Sequence, residues 1–138
     1  MKRIPHLALL AVACLLSLTL LVLACGSSTA DPVAGDLYSV ETGDGTFSIV
    51  KVLATGDGLV HLRLYKNRFA TRPPRVDPGE LSLGSIQDPD GFGIGHLPIS
   101  LSEFRAWDPE FLTSEPVTEE ELEGYRFWQE QVGGSSGD

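Results

Sequence analysis

The chain has 138 residues, with 19 acidic and 10 basic side chains and a formal net charge of −9. An acidic chain repels the phosphate backbone, so its charge argues against nucleic acid as its partner. The length suffices for one compact domain of about a hundred residues but not for two.

An apolar run occupies the amino-terminal end. Lys2 and Arg3 precede it, and residues 7 to 24 are apolar or small apart from Ser17 and Thr19. This is the layout of an export signal. Because the positively charged end stays on the cytoplasmic side, the residues that follow are expected to be delivered outward.

The run ends in Val22, Leu23, Ala24 and Cys25, followed by Gly26. This segment resembles the lipobox of bacterial lipoprotein precursors. The resemblance implies cleavage before Cys25, whose thiol carries a diacylglyceryl group, often with an amide-linked acyl chain as well. Two or more chains anchor a protein stably. Gly26 in place of an aspartate implies the outer membrane, and the expected location is the cell membrane or outer membrane, facing the periplasm or exterior.

Two other interpretations of this segment stay open. The run is close to the ~18 residues that begin to suggest a membrane span, which would make it an uncleaved anchor. Ordinary signal cleavage would instead leave a soluble secreted protein. Cys14 is a weaker candidate for lipidation than Cys25, because less apolar chain precedes it.

Cleavage before Cys25 would leave 114 residues and no second cysteine for a disulfide. It also removes Lys2 and Arg3 and no acidic residue, so the net charge becomes −11. The sequence therefore predicts four parts: a lipoprotein signal peptide (1–24), a lipidated cysteine with a flexible tether (25–35), a single globular domain (36–132) and a disordered tail (133–138).

Three strands are predicted in the middle of the chain, at residues 36–40, 46–54 and 59–65. Gly43-Asp44-Gly45 and Asp57-Gly58 separate them, and Asp-Gly pairs favour tight hairpin turns. The third strand alternates apolar residues with His61, Arg63 and Tyr65, which predicts that His61 faces solvent. The three strands are expected to form an antiparallel meander.

The rest of the chain combines loops and helices. The proline-rich residues 70–80 predict a surface loop. Residues 81–86 read as a possible further strand, and residues 88–98 as a glycine-rich loop. Ser100 with Glu103 is typical of a helix start, and Asp108-Pro109 should end that helix.

The last predicted element is a second helix. Thr118 and Glu121 form a capping-box pattern, and an apolar stripe of Leu122, Tyr125 and Trp128 follows. This stripe is expected to dock on the sheet.

These elements predict an α+β fold, mainly β, with a small antiparallel sheet or an SH3-like partial barrel and one or two C-terminal helices. The opening GDLYSV…GDGTFSIVKVL also resembles the start of small bacterial immunity proteins, which neutralise toxins of polymorphic secretion systems. The matching positions are Gly35, Asp36, Tyr38, Gly43, Gly45 and Phe47. The resemblance implies a fold more than an activity, and a monomer is expected.

His96 is the first candidate for a binding residue, because Gly93 and Gly95 beside it would let a backbone approach a ligand closely. Alternatively, the glycines only shape a turn and His96 hydrogen-bonds to its neighbours. Asp88 and Asp90 match part of a calcium loop, but the remaining acidic ligands of an EF-hand are missing. Neither a metal nor a cofactor is therefore predicted.

Charges are unevenly distributed. Residues 61–75 hold five basic side chains and no acid, while residues 103–123 hold eight acids and Arg105 alone. Three interpretations remain: a solvated surface, pairing between the two regions, or a basic patch of Arg68, Arg72 and Arg75 that contacts lipid head groups or an acidic partner.

Two function classes follow. The first is a membrane-anchored envelope lipoprotein that acts as a non-enzymatic, immunity-like binding module with a protein partner. It is favoured because the sequence holds no catalytic constellation; its G-x-S-x-G match, residues 133–137, lies in the predicted disordered tail. The alternative is an envelope enzyme or ligand sensor that uses the glycine-rich loop around His96.

Overall fold

The computed structural model describes residues 30 to 133, and Asp31 begins a compact unit. The predicted signal peptide, Cys14, Cys25, residues 26–29 and residues 134–138 of the predicted tail lie outside the described residues. Between residues 30 and 133, no helix is long and apolar enough to cross a membrane.

One antiparallel sheet of five strands forms the centre of the domain. The strands are β1 (Asp36–Glu41), β2 (Phe47–Gly56), β3 (Leu59–Phe69), β4 (Ile94–Ser100) and β5 (Glu110–Ser114). Their order across the sheet is β4-β3-β2-β1-β5, so β4 and β5 form the edges. The predicted meander is confirmed, as is the α+β, mainly β class.

Three short helical segments accompany the sheet. They are a 3₁₀ turn (Pro78–Glu80), helix α1 (Leu101–Ala106) and helix α2 (Glu123–Gly133). The predicted helix start at Ser100 is confirmed; the predicted capping box of Thr118 and Glu121 also forms, but residues 119–122 are a turn and α2 begins only at Glu123. The hydroxyl of Ser100 accepts a hydrogen bond from the Glu103 amide at 3.1 Å. The Thr118 amide donates to the Glu121 carboxylate at 2.9 Å, and the Glu121 amide donates back to the Thr118 hydroxyl at 3.3 Å.

The two hairpin turns follow the predicted chemistry. Asp57 and Gly58 have φ angles of 52° and 77°, the left-handed pair that a two-residue hairpin turn requires. In the other hairpin the carboxylate of Asp44 accepts the Thr42 hydroxyl at 2.6 Å and the Thr46 amide at 3.1 Å. Hydrogen bonds from Thr42 and Thr46 lower the pKa of Asp44, so the turn is held by a carboxylate.

The sheet buries side chains on both faces. On the side that we call the α1 face, one apolar cluster joins the sheet to helix α1; it consists of Val40, Val50, Val52, Val60, Leu62, Ile99 and Phe104. Strand side chains alternate between faces. A smaller cluster of Leu37, Ile49 and Tyr65 therefore lies on the opposite side, the α2 face, where Leu81, Leu83 and Leu112 pack against it.

The structure corrects three predictions between residues 81 and 114. Residues 81–86 form no strand, although the leucines of this segment pack on the α2 face. Residues 94–98, predicted as part of a glycine-rich loop, belong to β4, which pairs with β3. Strand β5 was not predicted; it pairs with β1 and completes the second edge.

The predicted flexible tether is too long at its carboxyl end. Residues 31–35 pack on the domain, and Pro32 is buried. The amide of Gly35 donates to the Val52 carbonyl at 2.8 Å, and the Gly35 carbonyl accepts the Glu115 amide at 2.9 Å. Small and turn-forming residues therefore build an ordered turn here, where composition alone suggested a free linker.

Candidate functional site

Two histidines on neighbouring strands form a hydrogen-bonded pair on the α2 face. Nδ1 of His61 in β3 lies 3.0 Å from Nε2 of His96 in β4. The two rings are nearly parallel, 8° apart, with centroids separated by 5.2 Å. One nitrogen must donate a hydrogen and the other must accept it, so the pair shares one proton between its facing atoms.

Helix α2 covers this pair with two aromatic side chains. The ring centroids of Tyr125 and Trp128 lie 4.7 and 4.6 Å from that of His61. His61 is only 3 % exposed, so the prediction that it faces solvent was wrong. Burial lowers the pKa of both histidines, and the nearby His61 lowers that of His96 further. Both rings therefore favour the neutral form.

A buried ion pair lies on the same face. Nζ of Lys51, which is 4 % exposed, donates to both carboxylate oxygens of Glu121 at 2.8 and 3.0 Å and to the Pro116 carbonyl at 2.9 Å. Burial acts to raise the pKa of Glu121. Hydrogen bonds from Lys51 and the Thr118 amide, together with the charges of Lys51 and Arg63, outweigh burial and lower it.

A small cleft of about 270 Å³ opens beside His96, at the start of helix α2. Its walls include Arg63, His96, Glu120, Glu121, Glu123 and Gly124. Nε of Arg63 is buried without a hydrogen-bond partner among the described residues, and the nearest Glu121 oxygen is 3.9 Å away. The cleft thus places a guanidinium, an imidazole and carboxylates around one small volume.

The two glycines predicted beside His96 have different surroundings. A side chain at Gly93 would collide with the Leu64 carbonyl, so this position needs glycine for close approach of two backbones. Gly93 also donates to the Leu83 carbonyl at 2.7 Å. Gly95 lies in β4 and lines the cleft beside His96, whereas Gly93 is not among the cleft residues.

The three arginines predicted to form one patch have different surroundings. Arg72 stacks over Phe47 at 4.7 Å and donates to the Ser39 carbonyl at 3.0 Å and the Asp108 carboxylate at 2.9 Å. Arg68 and Arg75 are exposed, and neither has a carboxylate partner within the described part of the chain. The patch is therefore not uniform, because Arg72 is part of the structure.

Other charges of the basic region are also paired internally. Lys66 contacts Asp88 at 2.9 Å and Asp90 at 3.4 Å, and the hydrogen bond between Lys66 and Asp88 lowers the pKa of Asp88. Lys66 thus pairs with the segment that resembled part of a calcium loop. Across residues 30–133, no group of three or more His, Cys, Asp or Glu is placed to hold a metal ion.

The long connection between β3 and β4 ends in a loop that displays apolar side chains. Ile86 and Phe92 are 80 % and 56 % exposed. The loop is nonetheless fixed, because the Asp88 carboxylate accepts the Ser85 amide at 3.0 Å and Lys66 at 2.9 Å. We call residues 84–93 the apolar loop.

A wider cleft of about 510 Å³ lies away from this chemistry. It is lined by apolar side chains of Val40, Leu64, Ala106 and Trp107 together with residues 41–43 of the first hairpin. Glu41 is the single titratable residue in its lining. The α2 face, with its paired histidines and charges, is therefore the stronger candidate for chemistry.

Sequence patterns identified His96 but missed its hydrogen-bond partner His61 and the ion pair of Lys51 and Glu121 on the same face. One sign was available for Lys51, because a single charge inside the apolar run Ser48 to Ala54 predicts either an exposed edge or a buried ion pair. No protein-family model, curated protein or solved structure matches this chain.

Proposed function

We propose that the protein is an envelope lipoprotein, anchored through lipid on Cys25, whose domain is a non-enzymatic, immunity-like module that binds a protein partner. The anchor rests on the charged start, the apolar run and the lipobox-like residues 22–25. The ordered domain begins at Asp31, five residues after Gly26. A domain on so short a connection would work close to its membrane.

The apolar loop is the observation that supports binding. Large apolar side chains that stand exposed on a fixed loop are suited to enter a pocket of a partner, because little conformational entropy is lost on binding. Lys66 and Asp88 hold the loop in place while Ile86 and Phe92 project from it.

The charge of the domain indicates the chemistry of the partner. The chain carries a net charge of −9, which becomes −11 after cleavage before Cys25, and Asp90 within the apolar loop is largely exposed. Acidic surfaces attract basic partners and accelerate their encounter at low salt. The proposed partner is therefore a basic protein with an apolar pocket, which fits a role in neutralising a second protein.

A pull-down from detergent-solubilised envelope tests the binding role. Phe92→Ser should lose the captured partner, whereas Phe127→Ser should retain it. Phe127 is a matched control because it is also exposed, at 64 %, but lies on helix α2. Equal capture by both variants would contradict a role for the apolar loop.

Incorporation of labelled fatty acid tests the anchor separately. Cys25→Ser should abolish labelling and leave a larger, unprocessed precursor, because the thiol that accepts the lipid is gone. Cys14→Ser should label and mature normally. If mass spectrometry finds an unmodified Cys25 with Ala24 still attached, the lipoprotein assignment is wrong.

A second candidate function is a ligand sensor that uses the cleft beside His96. The buried Nε of Arg63, without an acceptor among the described residues, favours this role because a carboxylate ligand would satisfy it. Titration with small carboxylates, followed by the NMR signals of His96, tests this candidate. Arg63→Lys, which keeps the charge but loses the planar fork, should weaken any binding seen.

A further inference from the structure

We infer that the His61–His96 pair is a proton-sensitive latch that holds helix α2 on the sheet and releases it when both rings are protonated. The inference does not depend on the proposed partner or anchor. It rests on the geometry of the pair and on what covers it.

The facing nitrogens tolerate one shared hydrogen but not two. With both rings neutral, or with one protonated, an N–H on one ring meets a lone pair on the other. When both rings are protonated, two N–H groups and two positive charges face each other across 3.0 Å. The pair therefore titrates as one coupled unit whose second proton is strongly disfavoured.

The cover over this pair is helix α2. Tyr125 and Trp128 both approach the ring of His61, which is 3 % exposed. A charge on His61 would have to be solvated, and water reaches this ring only if the helix moves away. Displacing α2 is thus the direct way for the fold to accept the second proton.

Several titratable and charged groups surround the histidine pair. The groups that face the pair are Arg63 on β3, Tyr125 on α2, and Glu120, Glu121 and Glu123 at the start of α2. Glu121 is already engaged by Lys51. The glutamates line the cleft together with His96, whereas His61 lies under helix α2, so the proton on buried His61 is the one that requires the helix to move.

The same geometry argues against a metal as the physiological partner of the pair. The near-parallel rings point their facing nitrogens at each other across 3.0 Å, whereas a metal–nitrogen bond alone is about 2.0–2.1 Å long. A metal between these nitrogens would require both rings to turn. The observed arrangement favours a shared proton.

The chain has two tryptophans, one on each face of the sheet, so the test uses two single-tryptophan forms of the full chain in detergent. Trp107→Phe leaves Trp128 to report on helix α2. Trp128→Phe leaves Trp107, which packs against the α1-face cluster, to report on the rest of the domain. The emission wavelength is followed as the pH is lowered from about 8 to about 4.5, the range in which histidine titrates.

The latch predicts that Trp128 emission shifts to the red only well below pH 6.5, the ordinary histidine pKa, because the second proton is disfavoured, while Trp107 emission stays constant. The double variant His61→Asn, His96→Gln places amide groups near the facing nitrogens and should abolish the shift. His96→Gln alone leaves one titrating ring and should make the emission shift less steep with pH. This single variant replaces the double variant in the test if the double variant does not fold. The third histidine of the chain, at position 6, is left unchanged in every variant.

Three results would overturn the inference. In the first, Trp128 emission stays unchanged down to the lowest pH, or loses intensity without a wavelength shift. In the second, both tryptophans shift together, because the whole domain then unfolds. In the third, the amide variants show the same transition as the wild type.

Discussion

The α1 face and the α2 face of one sheet are closed by different kinds of contact. On the α1 face, valines, leucines and isoleucines surround Phe104, whose ring meets Tyr38 edge-on at 5.3 Å. On the α2 face, a smaller apolar cluster stands beside a buried ion pair and a histidine pair. Hydrocarbon contacts carry no titrating group and are insensitive to pH, whereas the histidine and ion pairs of the α2 face depend on protonation. The same strands are therefore covered by α1 through contacts that do not titrate and by α2 through contacts that do.

The largest expected effect is on the α1 face. Phe104→Ala removes a buried aromatic ring and should lower the free energy of unfolding by about 4 kcal/mol. Chemical denaturation measures this loss, which should be the same at pH 5 and pH 8 because no titrating group is involved. A loss that changes with pH would show that the two faces are coupled.

The second effect concerns the buried ion pair. Glu121→Gln leaves the ammonium of Lys51 buried without its counter-charge, and it should cost about 3 kcal/mol of unfolding free energy. The double variant Lys51→Met, Glu121→Leu should recover much of this loss, because no charge remains buried. If the double variant is no more stable than Glu121→Gln, the uncompensated charge is not the cause.

A smaller effect separates the arginines. Arg72→Ser should lower the free energy of unfolding by about 2 kcal/mol, because it removes several hydrogen bonds and the stacking on Phe47. Arg75→Ser is the matched control and should change stability by less than about 0.5 kcal/mol, as an exposed charge does. Equal losses would mean that Arg72 makes no structural contribution in solution.

The smallest expected effect is a slope of stability with pH. Because burial lowers the pKa of His61 and His96, the unfolded chain binds more protons below its ordinary histidine pKa of about 6.5. The stability that depends on neutral histidines is fully present above that pH and is lost as the pH falls below it. Phe104→Ala should keep the slope, whereas the His61→Asn, His96→Gln variant should lose it between pH 7.5 and 5.5. Unfolding curves measured at successive pH values give the slope of the unfolding free energy with pH for each variant.

The α1 face could be predicted from the sequence, whereas on the α2 face only the docking of Tyr125 and Trp128 on the sheet could. Strand alternation predicts the valines and leucines of β2 and β3, and the Asp57-Gly58 pair fixes their register. The same alternation predicts that His61 faces solvent, and it does not identify Lys51 and Arg63 as partners of Glu121. Their burial depends on Glu121 and helix α2, which are 58 to 70 residues away in sequence. The local apolar stripe predicts that the last helix docks on the sheet, but it does not indicate which side chains of the sheet the helix covers.

Strand β5 was missed for a related reason. Its five residues follow Asp108-Pro109 and carry no alternation strong enough to stand out. The strand exists because β1 offers an unpaired edge, with Leu37 opposite Thr113. The capping boxes at Ser100 and Thr118 were predictable, because a cap is decided by residues three positions apart.

The position of β1 has a mechanical consequence. This strand enters the sheet directly after Asp31–Gly35 and is hydrogen-bonded on one side to β2 and on the other to β5. Hydrogen bonds of an antiparallel ladder run perpendicular to the strands. A force applied to the amino-terminal end along β1 would shear its hydrogen bonds to β2 and β5. All of these bonds would bear the load together, and they would not break one after another. Force transmitted through that end therefore meets the sheet in its most resistant direction.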